Sequence, residues 1–99
     1  MKVLEILKWK SKNDATDQEM IDAVNNMVPD LKKLDGFINQ TLYKDENNTW
    51  VDIYYWDTKE NAHLSNERMA EKNSLKTLLN LIDLDTITIE ILEPLQSSE

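Results

Sequence analysis

The chain has 99 residues, 40% of them hydrophobic and 30% charged, with 11 Lys and Arg against 19 Asp and Glu for a formal net charge of −8. That length predicts one domain over residues 1–99, folded over 1–94 with a frayed tail at 95–99, and the absence of cysteine removes disulfides, thiolate nucleophiles and Cys-ligated metal sites. The acidic balance argues against nucleic acid and anionic membrane surfaces, which need clustered Lys and Arg, and no apolar run suits a signal peptide or a membrane span, so a soluble cytoplasmic protein is expected.

Residues 3–9 alternate as a strand, with Val3, Glu5, Leu7 and Trp9 on one face and Leu4 and Ile6 on the other. Residues 10–15 read as a polar connection. Thr16 and Glu19 form a capping box that opens a helix, in which Met20, Val24, Met27, Leu31 and Leu34 make a buried stripe widened by Ile21 and Val28. Pro29 should bend or divide that helix, because it removes the bond to the Asn25 carbonyl. Gly36, the only glycine, should end it as a left-handed cap after Lys32 and Lys33.

Residues 37–43 and 50–56 read as a hairpin, joined through 44–48, where Asn47 and Asn48 tolerate turn geometry. Asp57 or Thr58 can cap the next helix, with Glu60 or Asn61 in the reciprocal place. The helical region 58–82 carries two stripes out of phase, Ala62, Met69 and Ala70, then Leu75, Leu78, Leu79 and Ile82. It should break near 72–74, with Ser74 capping the second piece. After a short connection at 83–85, residues 86–92 close the chain as a strand, Ile87, Ile89 and Ile91 alternating with Thr86, Thr88 and Glu90.

The order strand, helix, strand, strand, helix, strand predicts an α+β, ferredoxin-like βαββαβ fold, a four-stranded antiparallel sheet with helices on one face. Apolar residues nevertheless occupy both faces: Leu4 and Ile6 oppose Val3 and Leu7, Ile38 and Leu42 oppose Phe37 and Tyr43, and Trp50, Tyr54 and Trp56 oppose Val51, Ile53 and Tyr55. A face left open in that way predicts a homodimer formed by sheet-to-sheet packing.

Several segments in this order resemble the antibiotic biosynthesis monooxygenase superfamily over nearly the whole chain. They are the strand at 3–9, the helix ending in Leu34, Asp35, Gly36 and Phe37, the run from Ile53 to Trp56 followed by Asp57, Thr58, Lys59 and Glu60, and Ala62, His63 and Leu64. The closing strand at 87–92 with Glu93, Pro94 and Leu95 completes the set. The resemblance implies a dimeric α/β barrel built from two such sheets, a ligand cavity between sheet and helices, and oxidation of quinol-like or polycyclic aromatic substrates without metal or flavin. Haem-degrading branches pair a strand-one Asn with a helical Trp and a later His. Here Leu7 and Ser65 fall in the first two places and no histidine follows His63, so that chemistry is not carried over.

His63 is the sole histidine and a candidate base for a phenolic proton, or else a boundary residue with a local hydrogen bond. Glu5 and Asp52 interrupt apolar strands. A carboxylate placed so is either paired, edge-exposed, or desolvated and available as a base, and Glu5 is the second catalytic candidate. Trp56, Trp9 and Tyr54 are substrate-binding candidates, each an aromatic face with a polar tip, although Trp50, Tyr43 and Tyr55 belong to the same set and core packing explains such rings equally. Asn39 is the fourth substrate-binding candidate, and it and Gln40 are mid-strand amides that suit a ligand carbonyl or a dimer contact. No metal site is expected from one histidine, and no cofactor. The expected function is a small-molecule-binding homodimer acting as a cofactor-independent monooxygenase on an aromatic or quinol-like substrate. The alternative is a non-catalytic ligand-binding or stress-related dimer.

Overall fold

The computed structural model describes residues 2–99; Met1 lies outside the described residues. Seven elements run in the order β1 (Val3–Ser11), α1 (Asp17–Lys32), β2 (Phe37–Lys44), β3 (Trp50–Trp56), α2 (Lys59–Met69), α3 (Asn73–Leu79) and β4 (Ile82–Leu92). The strands make one antiparallel sheet in the order β2-β3-β1-β4, the ferredoxin-like arrangement expected from the sequence. No helix among the described residues is long and apolar enough to cross a membrane.

The β1–β3 register pairs Val3 with Trp56, Glu5 with Tyr54, Leu7 with Asp52 and Trp9 with Trp50. Since side chains alternate along a strand, these eight residues share one face, and all but the half-buried Leu7 are buried. The helices cover that face: Met20, Ala23, Val24, Met27 and Leu31 of α1, Ala62 and Met69 of α2 and Leu78 of α3 join the strand tryptophans in one core. On the other face Leu4, Ile6, Val51, Ile53 and Tyr55 are only half-buried.

Helix α1 starts where the sequence places it. The Thr16 hydroxyl accepts from the Glu19 amide at 3.1 Å while the Glu19 carboxylate accepts from the Thr16 amide at 3.0 Å, a reciprocal pair whose loss costs about 1 kcal/mol. The helix is not divided at Pro29, because Pro29 and Asn25 are both exposed and the carbonyl that loses its donor is open to solvent. Ile21, read as part of the stripe, is exposed instead. Helix α1 ends at Lys32, earlier than the sequence suggested, and Gly36 lies beyond it in a separate turn with φ of 82°. A Cβ at Gly36 would stand 2.1 Å from Asp57 Oδ1, so both the left-handed backbone and the close approach require glycine there.

Four details differ from expectation. A register shift between Phe37 and Asn39 places Phe37 on the helix-covered face with Leu42, where strict alternation would separate them. Strand β1 runs to Ser11, two residues past the expected strand end, and the residues expected to form a connection at 83–85 belong to β4. That strand passes from the pair Lys8 and Thr88 to the pair Lys10 and Asp83, and the bulge is held by Thr86, whose hydroxyl accepts from the Lys10 amide at 2.8 Å and donates to the Asp83 carbonyl at 2.6 Å. Ser74 does not cap α3. Lys72 occupies the cap position without a side-chain bond, and the Ser74 hydroxyl donates to Asp30 across to α1 at 2.6 Å.

Candidate functional site

A half-enclosed cavity of about 270 Å³ lies between the sheet and the helices. Its floor is Glu5, Leu7 and Trp9 of β1 with Tyr54 and Trp56 of β3; α2 contributes Ser65, Asn66 and Met69, and α3 contributes Leu75, Leu78 and Leu79. Met27 and Leu31 of α1 and Ile82, Ile87 and Ile89 of β4 complete it. The volume is just under the range of common ligand clefts, about 300–1,000 Å³, and the apolar wall with a few polar groups is the usual composition of such sites.

Glu5 is the charged residue of the floor and is 1% exposed. The Trp56 indole donates to its Oε1 at 3.0 Å and the Asn66 amide to its Oε2 at 3.2 Å. Burial raises the pKa of Glu5 above the usual carboxylate value, and the two donors hold it back only in part. Because Glu5 sits at the cavity wall and burial favours its proton, it has the position and the proton affinity of a general base toward a weakly acidic guest.

Asp52, fully buried on the same face, is built differently. The Gln40 amide and the Tyr54 hydroxyl both donate to it, and burial pushes its pKa up to about 6. Tyr54 is held well above the usual phenol range by its own burial and by the Asp52 charge. Asp52 is not part of the cavity wall. Two buried donors stay unpaired among the described residues, the indole nitrogens of Trp9 and Trp50, a condition that costs about 1–3 kcal/mol per group. Among the described residues no three of His, Cys, Asp and Glu come together as metal ligands.

The sequence matches no protein-family model and no curated protein. Its fold, by contrast, matches solved structures over nearly its full length. SnoaB, a cofactor-independent oxygenase from Streptomyces nogalater, superimposes with a TM-score of 0.75 at 15% identity, covering 98% of this chain and 96% of that one. A candidate antibiotic biosynthesis monooxygenase from Bordetella bronchiseptica reaches 0.81 at 10% identity over 96% and 98% of the two chains. Mycobacterium tuberculosis Rv0793 reaches 0.72 at 16% identity over the whole of both. The chain has the fold of the antibiotic biosynthesis monooxygenase-like proteins. Identities this low establish architecture, and the chemistry of the monooxygenase-like fold in this chain has to be argued from its own residues.

Of the six site residues read from the sequence, four meet at the cavity: Glu5, Trp9, Tyr54 and Trp56. His63 does not join them. It is exposed on α2, outside the cavity wall, and its charge is the smallest of the influences on Glu5. Asn39 is exposed and pairs with Tyr55 on the face away from the helices, because the bulge after Phe37 sets its direction. The residue the sequence reading missed is Asn66. Its spacing from Ala62 and Met69 puts it on the inward side of α2, a signal that was available but attached to a polar side chain.

Proposed function

We propose that the chain is the single-domain subunit of a homodimer that binds a small apolar or aromatic guest between sheet and helices. In this reading it oxidises that guest with molecular oxygen, without metal or flavin. The observation that carries the reading is Glu5, a desolvated carboxylate at the wall of an otherwise apolar cavity with Trp56 and Asn66 fixing both its oxygens. Glu5 takes a proton from an activated ring C–H or O–H of the guest. The resulting carbanion reduces oxygen and forms a C–O bond, and the peroxide so made loses water to leave a carbonyl, one oxygen atom passing to product and one to water. Position and a dry environment are the protein's other contributions.

The dimer is supported by the half-buried Leu4, Ile6, Val51, Ile53 and Tyr55 on the face without helices, an apolar set of the kind that marks an association surface. Sheet-to-sheet packing of two copies would cover both. A monomeric mass at micromolar concentration removes that part of the proposal.

The alternative, a non-catalytic ligand-binding or stress-related dimer, draws support from the fact that both oxygens of Glu5 already accept hydrogen bonds within the fold, as a structural carboxylate would. Oxygen consumption with a panel of quinols and anthrones separates the two. Uptake that disappears in Glu5→Gln supports catalysis; binding of the same compounds without uptake leaves the non-catalytic dimer.

A further inference from the structure

We propose that Asp52, besides its structural bonds to Gln40 and Tyr54, is a positioning residue for the Glu5 base, its charge acting on Glu5 from the next strand of the same sheet face. Asp52 touches no guest. It governs how firmly Glu5 holds the proton that the guest gives up, a role that rests on the reading of Glu5 as the base and adds a second carboxylate to it.

The strand register brings the two groups together. Glu5 stands opposite Tyr54 and Leu7 opposite Asp52, which makes Glu5 and Asp52 diagonal neighbours on the helix-covered face, about 7–8 Å apart at their Cα positions. Tyr54 lies between them: it is the cross-strand partner of Glu5, and its hydroxyl donates to Asp52. Its burial, and then the charges of Asp52 and Glu5, hold the phenolic proton in place.

Nothing beside the pair neutralises it. No ion pair among the described residues involves either carboxyl. From α2, Glu5 faces the neutral amide of Asn66 and the more distant charge of the exposed His63, while the cavity residues of α1, α3 and β4 are all apolar. Asp52 faces Gln40 and Leu42 of β2 and Leu7 of β1, under the apolar core residues of α1. Both carboxyls are fully buried. Two like charges so close and so poorly solvated oppose each other, so an ionised Asp52 favours the protonated form of Glu5. Burial is the main cause of the raised pKa of Glu5, and the charge of Asp52 adds to it more than His63 takes away. Asp52 itself titrates at about 6. Once it is ionised, Glu5 is a stronger base than burial alone would make it.

The test follows Glu5 through the Trp56 indole N–H, which donates to it at 3.0 Å. The resonance, assigned by its loss in Trp56→Phe, is titrated by NMR in the guest-free protein, and the acid limb of oxygen uptake is measured in parallel with the panel of quinols and anthrones. In Asp52→Asn both midpoints should move to lower pH, by about one unit. In the native protein two coupled carboxyls release their protons in overlapping steps, so its indole curve should be broader than a one-proton titration and that of Asp52→Asn should not. If Asp52→Asn does not fold, the breadth of the native curve decides alone. An indole midpoint that stays in place or rises in Asp52→Asn overturns the role of Asp52 and leaves Glu5 standing as the base, and so does a one-proton native curve where the variant does not fold. Absence of uptake with every compound overturns the reading of Glu5 as the base, and the task of Asp52 in turnover with it, whatever the indole titration shows.

Discussion

Glu5 and Asp52 are both carboxylates on the helix-covered face of the sheet, on adjacent strands, 1% and 0% exposed, and burial raises the proton affinity of both. They differ in what surrounds them. Asp52 is enclosed by Gln40 and Tyr54 and reaches no open space, whereas Glu5 shares its wall with the cavity and is held by the partly exposed Asn66 of α2. Desolvation alone would nominate both as functional. Access separates them: a carboxyl group can exchange a proton with a guest only where a guest can stand, so the proposed reading gives the base to Glu5 and a structural role to Asp52.

The largest expected effect follows from that contrast. Replacing Glu5 with Gln keeps the volume and an acceptor for one of its two donors and removes the base, so oxygen uptake with an active quinol or anthrone should fall by about 10²–10⁴-fold. Asp52→Asn should leave uptake within about threefold, since no proton leaves the guest through it. A larger loss in Asp52→Asn than in Glu5→Gln would invert the comparison.

The second effect is on stability and singles out Asp52. Its carboxyl titrates near 3.8 when unfolded and at about 6 in the fold, so the native state keeps a proton that the unfolded chain has released. Stability from this group is fully present below about pH 4 and is lost as pH rises through about 6, by about 3 kcal/mol. Glu5 acts in the same direction. Asp45, lowered mainly by its bond from the Thr49 amide, works the opposite way and below pH 3.8, outside this window. Urea unfolding at several pH values should therefore show midpoints falling between pH 4 and 6, with most of that slope absent in Asp52→Asn. Native stability that rises across the window contradicts the burial of a neutral Asp52.

Much of this arrangement is legible before any coordinates, for a reason visible in β1 and β3. Their ladder runs without interruption from the pair of Val3 and Trp56 to that of Trp9 and Trp50, so a period of two carries each side chain to its correct face. Where the ladder breaks, the pattern stops being informative. The shift after Phe37 depends on how the chain leaves the Gly36 turn, and it sends Asn39 outward. In β4 the acidic pair Asp83 and Asp85 resembles a connection because the distortion there is stabilised by the Thr86 side chain, which periodicity does not register. The cavity belongs to the same class of fact, since it is what remains after packing and no sequence period encodes a void.

The smallest effect separates two neighbours on α2. His63 and Asn66 are three residues apart on an eleven-residue helix, and both are exposed, but only Asn66 reaches Glu5. His63→Ala should change stability by less than about 0.5 kcal/mol, the usual range for a surface side chain without a buried partner. It should also leave guest affinity and turnover unchanged. Asn66→Ala should cost more on folding, about 1–3 kcal/mol for the buried Glu5 oxygen left without its donor, and shift the acid limb of the turnover profile to higher pH, because a donor that favoured the ionised Glu5 is gone. The limb reports the group that must be ionised to accept the proton, so its movement with Asn66 rather than His63 identifies that group as Glu5. If His63→Ala moves the limb further than Asn66→Ala, the proton goes to the histidine, and the cavity carboxylate reverts to the structural role that Asp52 fills one strand away.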